Sequence, residues 1–266
     1  MYLNHWGFQE SPFENVPDPR FFYLSKSHEE ALARLIYAGK MRKGGAILSG
    51  EIGCGKTTLT KVCVQELSRA EFDIGLVVNP RLEPREFIQE IVYQFGLNDV
   101  PDTKVKCLHR LNERMIENMR ANRETILIID EAHLLSPSNM EEIRLLLNFQ
   151  LNDRFLMTVL LVGQPELKEK VQDIPQLNQR IAIKYHLEPF DYQDTEEYIL
   201  FRQKRAGRNG NAFSPEAIER IYDHTTGVPR SINNLCDLSL LVGYSKNEKV
   251  IGPNIVESII KDGAIY

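Results

Sequence analysis

The chain has 266 residues, of which 42% are hydrophobic and 26% are charged. This length and balance predict a globular protein that can bury a sizeable core, in one large domain or two smaller ones. The net charge of −5 argues against a general nucleic-acid binder, although it is compatible with a local basic patch.

No run of roughly eighteen apolar residues occurs in the sequence, so we expect no transmembrane segment in this chain. Its four cysteines form no C-x-x-C pair, which favours reduced thiols. We therefore expect a cytoplasmic location. Residues 1–24 are rich in proline and aromatic side chains, too apolar for a disordered tail, and are expected to pack on the core in an extended form. A helix is predicted from Ser27 to about Met41, with Ser27 as its N-cap.

A glycine-rich stretch then follows a short apolar run at residues 46–49 and precedes an amphipathic helical pattern at 59–67. The stretch fits G-x-x-x-x-G-K-[ST], the phosphate-binding loop of P-loop NTPases, and consists of Gly50, Glu51, Ile52, Gly53, Cys54, Gly55, Lys56, Thr57 and Thr58. The glycines allow backbone N–H groups to surround a β-phosphate, and the helix N-terminus adds partial positive charge. We therefore predict an ATP site, in which Lys56 reaches the β- and γ-phosphates, Thr57 offers its hydroxyl to Mg²⁺ and Thr58 contacts the α-phosphate. Cys54 is interpreted as a small filler residue, with a redox role as the alternative.

A second buried strand is predicted at residues 72–79, followed by helices at 83–95 and 103–123. The longer helix is basic, carrying Lys104, Lys106, Arg110, Arg114, Arg120 and Arg123. A solvated helix face is one interpretation of these charges, and a contact with nucleic acid or a partner is the other.

A second functional motif ends the next predicted strand. Residues 125–129 are an unbroken apolar run, typical of a central parallel strand, and Asp130 and Glu131 follow it. In a P-loop enzyme Asp130 would hold Mg²⁺ through its water shell and Glu131 would polarise the attacking water. Further buried strands are predicted at 156–164, with Gln164 at the polar tip, and at 181–187.

Strand patterns stop after Pro189, and residues 191–206, 214–225, 229–245 and 253–261 are predicted to be helical. Strands that alternate with helices predict an α/β fold with a five-stranded parallel sheet. We place the nucleotide-binding domain at residues 1–190, including the extended segment 1–24, and a small all-helical lid domain at 191–266.

This architecture is that of AAA+ ATPases, and several motifs resemble the ExeA/GspA-type secretion ATPases in particular. The similar stretches are Trp6-Gly7-Phe8, Ser11-Pro12-Phe13, the run from Pro17 to Ser25, Val78-Asn79-Pro80, Asp130-Glu131-Ala132-His133, Gly163-Gln164-Pro165-Glu166-Leu167, Gln179-Arg180-Ile181 and Gly227-Val228-Pro229-Arg230. Sister groups share much of this pattern: pilus-biogenesis and exopolysaccharide-locus ATPases and TniB/TnsC-like transposition regulators. Larger ExeA-type proteins continue into a membrane span and a peptidoglycan-binding region, whereas this chain ends at Tyr266. It is therefore expected to be either a stand-alone relative or a shortened form.

The resemblance implies further roles. Gln164 would be sensor 1, Arg180 an arginine finger acting on a neighbouring subunit, and Arg230 sensor 2. The structural alternatives are a loop-capping amide for Gln164, a surface salt bridge for Arg180 and a solvent-facing side chain for Arg230. Asn79 could pair with Glu131 as a glutamate switch, and residues 17–24 would border the adenine.

The leading hypothesis from the resemblance is an oligomeric, Mg²⁺-dependent ATPase that assembles or remodels a cell-envelope complex for secretion, pilus formation or polysaccharide export. Its implied partners are further copies of itself, in a ring or filament joined through Arg180 in trans, and envelope assembly proteins that could recruit it to the inner membrane. The alternative is an ATP-dependent, DNA-binding regulator of transposition. A third hypothesis is a nucleotide-binding module that hydrolyses little ATP on its own.

Overall fold

The computed structural model describes residues 2–151 and 154–263. Its helices and strands, in chain order, are α1 (Leu3–Trp6), α2 (Lys26–Lys40), β1 (Gly45–Gly50), α3 (Lys56–Glu66), β2 (Phe72–Val77), α4 (Pro84–Gln94), α5 (Lys104–Arg120), β3 (Glu124–Ile129), α6 (Pro137–Leu146), β4 (Thr158–Gly163), α7 (Glu166–Gln172), α8 (Pro175–Asn178), β5 (Ile181–Leu187), α9 (Tyr192–Arg205), α10 (Pro215–Thr225), α11 (Pro229–Ser245) and α12 (Pro253–Lys261). Short 3₁₀ helices lie at Pro19–Phe21 and Ala132–Leu134.

The chain forms two compact units. Residues 27–52, 59–151 and 154–187 make up the sheet unit, and residues 2–26, 53–58 and 188–263 make up the helical unit.

The sheet unit is built on a five-stranded sheet in which every pairing is parallel and the strand order is β2-β3-β4-β1-β5. This confirms the predicted α/β fold and its parallel sheet. The strands β3 and β4 are apolar along almost their whole length because helices cover both faces of a parallel sheet. On one face, Phe87, Ile91, Leu111 and Met115 of α4 and α5 are buried in the core.

Four helices of the sheet unit differ from the sequence expectations. The helices α6, α7 and α8 were not predicted. For α6, Ser136 caps the helix by accepting the Asn139 N–H at 3.1 Å, and Pro137 occupies its first turn. The helix α2 begins at Lys26, so Ser27 lies in its first turn and is not its N-cap. The Ser27 hydroxyl instead lies 3.3 Å from the Tyr185 hydroxyl.

The helical unit contains α9 to α12 together with the aromatic N-terminal segment. Trp6, Phe8 and Phe13 are buried in its core, and the Trp6 indole donates to the Leu240 carbonyl at 2.9 Å. The buried Arg202 guanidinium donates to the backbone carbonyls of Pro12 at 2.5 Å and of Glu14 at 2.9 Å.

The N-terminal segment is therefore placed differently from the sequence assignment, which put residues 1–24 in the nucleotide-binding domain. It packs among the C-terminal helices, and it is not wholly extended, because it contains α1 and the 3₁₀ turn at Pro19–Phe21. The domain boundary near residue 190 stays a prediction. No helix within the described residues combines the length and the apolarity needed to cross a bilayer.

Candidate functional site

The glycine-rich loop lies between the end of β1, at Gly50, and the start of α3, at Lys56. Gly53 and Gly55 have φ angles of 89° and 91°, a left-handed conformation that glycine adopts without steric cost. Cys54 is fully buried and Lys56 is only 8% exposed. Glycine geometry and a helix N-terminus together give the backbone the form of a phosphate-binding loop.

Within the helical unit, the loop packs against the start of α11. The Arg230 N–H donates to the Gly53 carbonyl at 3.3 Å. A Cβ atom at Gly53 would lie only 2.8 Å from Cβ of Arg230 and 3.1 Å from Cγ1 of Val228. Glycine is therefore required at position 53 both by backbone conformation and by space. The Arg230 residue itself is exposed, in the first turn of α11.

The carboxyl ends of three adjacent strands bring the other predicted residues to one edge of the sheet unit. Since β3, β4 and β1 are neighbours and parallel, Asp130, Gln164 and Gly50 all lie at this edge. Ligands of open α/β sheets bind at such an edge. Asp130 is 5% exposed, and its Oδ1 accepts the Glu131 N–H at 2.9 Å. Glu131 has a left-handed backbone, with φ 52°, and its side chain is 43% exposed.

A histidine that the sequence analysis gave no role joins two of the predicted residues. Nδ1 of His133 lies 3.4 Å from Oε2 of Glu131, and Nε2 lies 2.8 Å from the side-chain amide nitrogen of Gln164. His133 belongs to the quoted Asp130–His133 motif, but its contact with Gln164 spans 31 positions of sequence and could not be read from it. Asn79, the partner suggested for Glu131, is exposed, and its side-chain oxygen accepts the Arg81 N–H at 3.3 Å.

Arg180 lies away from the other predicted residues of the sheet unit. It precedes β5, at the amino edge of the parallel sheet, and its guanidinium donates to the Leu147 carbonyl at 2.9 Å. Leu147 is the C-cap residue of α6, so the arginine satisfies a carbonyl at a helix end. Arg180 is half-buried. The contact differs from the surface salt bridge that was the alternative to a finger role.

The donors predicted for Mg²⁺ have suitable chemistry. Among the residues that the structure describes, no group of three or more His, Cys, Asp or Glu forms a ready-made metal site. The Asp130 carboxylate and the Thr57 hydroxyl are oxygen donors, and Mg²⁺ is commonly held by one or two such protein ligands together with phosphates and waters. Each of these side chains is therefore of the chemical type that a magnesium ion arriving with a nucleotide takes as a ligand.

Comparisons with known proteins give both a family and a fold. A family model described as "AAA domain" matches residues 40–171. The general secretion pathway protein A of Aeromonas hydrophila is 35% identical over 254 residues, a match that covers 94% of this chain and 46% of that protein. This chain thus spans about half the length of that curated relative.

Solved structures share the fold at low sequence identity. The Aeropyrum pernix ORC2 protein, solved as ADPNP-ADP complexes, has a TM-score of 0.70 and 18% identity, over 96% of this chain and 71% of that one. Drosophila ORC bound to DNA has a TM-score of 0.71 and 17% identity, over 97% and 65% of the two chains. The Thermotoga maritima RuvB Holliday junction branch migration motor has a TM-score of 0.59 and 19% identity, over 89% and 68%.

Proposed function

Because this chain belongs to the AAA+ ATPases of the ExeA/GspA type, we propose that it binds Mg²⁺–ATP at residues 50–58 and hydrolyses it to assemble or remodel a cell-envelope complex. The 35% identity to general secretion pathway protein A, over 94% of the chain, is the observation that carries the envelope role. It confirms the family that the sequence motifs predicted.

The loop supports nucleotide binding through its backbone. Gly53 and Gly55 hold the left-handed conformations that turn N–H groups inward, and α3 begins at Lys56, so its N-terminus faces an incoming phosphate. The Lys56 ammonium would neutralise the β- and γ-phosphates, and the Thr58 hydroxyl would contact the α-phosphate. When bound, Mg²⁺ would draw charge from the phosphates, held by the Thr57 hydroxyl and, through water, by Asp130.

The carboxyl edge of the sheet supports hydrolysis. In our proposal Glu131 polarises the attacking water, and its partly exposed carboxylate is accessible to one. Gln164, at the end of the neighbouring strand, holds that water or the γ-phosphate. Arg230, exposed at the start of α11, serves as the second sensor of the γ-phosphate.

Arg180 supports a shared site between copies of the chain. It immediately precedes β5, whose seven residues run to the opposite edge of the sheet over about 20 Å at the usual rise per residue. Its charge is therefore remote from the end of its own β1 and available to the next subunit. Such a head-to-tail contact closes into a ring or continues as a filament.

The catalytic part of the proposal is tested with two variants. Lys56→Ala should abolish or greatly weaken ATP binding, measured by titration with a fluorescent ATP analogue. Glu131→Gln should bind ATP like the parent protein and lose most turnover, because the metal shell survives and the water-polarising carboxylate does not. Normal hydrolysis by Glu131→Gln would contradict the role of Glu131.

The envelope part is tested by sedimentation with purified cell envelopes of the source organism. The Glu131→Gln protein, held in its ATP state, should co-sediment with envelopes when ATP is present, and Lys56→Ala serves as the matched control that cannot enter that state. Equal sedimentation of both proteins, or of neither, would argue against an ATP-driven role on the envelope.

A DNA-binding regulator of transposition is the second candidate, and the basic helix α5 is the observation that favours it. However, four of the six charges predicted for residues 103–123 already have partners: Lys104 bonds Glu142 at 2.6 Å, Arg110 bonds Glu113 at 3.4 Å, Arg114 bonds Asp73 at 2.7 Å, and Arg123, just after α5, donates to the Phe72 carbonyl at 3.2 Å. These pairings weaken the case for a DNA contact at this helix.

A mobility-shift titration with ATP at low and high salt separates the two candidates. Phosphate contacts by Lys and Arg predict an affinity for DNA that falls steeply with salt. Absence of binding at any salt would remove the DNA-binding candidate.

A further inference from the structure

We propose that His133 is a positioning residue that ties the carboxylate of Glu131 to the side-chain amide of Gln164, so that a single imidazole sets both groups assigned to the attacking water. The proposal rests on the proposed function for the roles of Glu131 and Gln164. The tie itself consists of contacts between His133, Glu131 and Gln164, all of which lie in the sheet unit.

The imidazole of His133 uses both of its nitrogens. Nε2 lies 2.8 Å from the amide nitrogen of Gln164, and Nδ1 lies 3.4 Å from Oε2 of Glu131. The ring lies between them, with 11% of the side chain exposed. It thus links side chains that follow two neighbouring strands, β3 and β4.

The proton on the ring is assigned from these neighbours. A carboxylate beside Nδ1 favours the tautomer that carries its proton there, because a hydrogen bond to an ionised acceptor is the stronger one. In that tautomer Nε2 accepts from the amide of Gln164 at 2.8 Å, and the Nδ1 proton is available to the Glu131 carboxylate, whose Oε2 lies 3.4 Å away. One oxygen of Glu131 and the amide oxygen of Gln164 then remain to accept hydrogen bonds from water.

The alternative tautomer would leave Glu131 without this hydrogen bond. It would instead satisfy the backbone N–H of Gln164, which donates to Nδ1 at 3.3 Å. The ring would then turn a lone pair toward the Glu131 carboxylate. Only the first tautomer offers a proton to the Glu131 carboxylate. The position of the proton on the ring can therefore be measured as a test of the proposal.

The backbone around His133 holds the ring in place. His133 lies in the 3₁₀ helix Ala132–Leu134, and the ammonium of Lys170 donates to its carbonyl and to the Leu135 carbonyl. Gly163 leaves room for it: a Cβ atom there would lie 3.0 Å from the His133 backbone nitrogen and 3.4 Å from Nδ1. To orient Glu131, the ring must be held in one position, and Gly163 has no side chain that would push it out of that position.

Turnover and binding give the first test, with His133→Ala, Gln164→Ala and the double variant, and His133→Gln as the conservative control. His133→Ala should lower kcat by about 10- to 100-fold, as expected when a group that orients a catalytic side chain is lost, with the Kd for a fluorescent ATP analogue within about twofold of the parent. The double variant should be no slower than the slower single variant, because the residues act as one unit. His133→Gln should recover part of kcat, since its amide can still donate to Glu131.

Unchanged kcat in His133→Ala, or losses that multiply in the double variant, would overturn the proposal. A Kd that weakens as much as kcat falls would also overturn it, because it indicates general damage to the nucleotide site. If His133→Ala does not fold, Gly163→Ala replaces it. The added methyl would lie 3.0 Å from the His133 backbone nitrogen and 3.1 Å from Cδ2 of Leu167, so it should shift His133 and lower kcat with no polar group removed. Full activity would count against the tie. Normal turnover by Glu131→Gln, in contrast, would contradict the proposed function itself.

Nitrogen-15 spectra of histidine give a test that is independent of turnover. The His133 signals, identified by their loss in His133→Gln, should report a proton on Nδ1 in the parent protein. In Glu131→Ala that proton should move to Nε2, because its acceptor is gone. A proton on Nε2 in the parent protein would refute the tie even if the protein proves to be an active ATPase.

Discussion

Replacing Gly53 with alanine should destabilise the protein through two separable effects. An L-residue held at φ 89° incurs roughly 1–2 kcal/mol of backbone strain. The new methyl group would also lie 2.8 Å from Cβ of Arg230 and 3.1 Å from Cγ1 of Val228, and overpacking of this kind typically costs about 1–3 kcal/mol. The expected loss in the free energy of unfolding is therefore about 2–5 kcal/mol.

Gly7→Ala is a matched control within the same unit. Gly7 has a comparable φ of 74°, but a Cβ atom there would meet nothing within 4 Å. It should lose only the strain of roughly 1–2 kcal/mol. The difference between the two variants, about 1–3 kcal/mol, then isolates the contact of the loop with the start of α11.

Urea denaturation of both variants measures these losses, and titration with a fluorescent ATP analogue adds a functional readout. Gly53→Ala should bind the analogue more weakly than the parent, because the loop must shift away from Val228 and Arg230. Gly7→Ala should bind it normally. Equal losses of stability in the two variants, or normal ATP binding by Gly53→Ala, would refute the reasoning.

Further predictions concern three other side chains. Arg180→Ala should leave ATP binding intact while lowering hydrolysis, and mixing it with Lys56→Ala should restore part of the rate; normal hydrolysis by Arg180→Ala alone would end the shared-site mechanism. Burial and the bond to Asp237 raise the pKa of Tyr2 above its ordinary value near 10, so its contribution to stability is present below about pH 10 and lost as the pH rises further. Tyr2→Phe should therefore flatten the fall of the urea midpoint above pH 10, and an unchanged slope would contradict this. Arg202→Met should loosen the N-terminal segment, because the Pro12 and Glu14 carbonyls lose their donor; limited proteolysis should then cut within residues 9–20 faster than in the parent, and equal cutting rates would speak against it.

Strands β1, β3 and β4 were predictable because each is a short apolar run that is buried on both faces of a parallel sheet. β5 was predicted with the bounds that the structure gives, and the other strands within about two residues at each end. The phosphate loop and the Asp130–Glu131 pair were predictable for a related reason: their residue types are dictated by backbone geometry and phosphate chemistry at one local stretch of chain.

What the sequence could not show are contacts between distant positions. The helix α5 reads as a basic surface, yet Arg114 bonds Asp73, which lies 41 positions earlier on β2. The N-terminal segment was expected to pack on the core of the nucleotide-binding domain in an extended form, yet hydrogen bonds of Arg202 and Trp6 hold it among the C-terminal helices. The charge or apolarity of a side chain predicts that it will be paired or buried. Which residue it contacts depends on the topology of the fold.

His133 shows how such a contact bears on function. Sequence motifs assign Glu131 and Gln164 separately, as the ends of two strands, and leave their relative position open. The parallel register places β3 beside β4, and the histidine two residues after Glu131 spans the gap between them. A water molecule attacking a phosphate must be oriented as well as polarised, so two groups acting on it must be held at a fixed separation. The imidazole can fix that separation because it is rigid and has a polar atom on each side. A flexible amide at position 133 would provide this only in part, and an aliphatic side chain would not provide it.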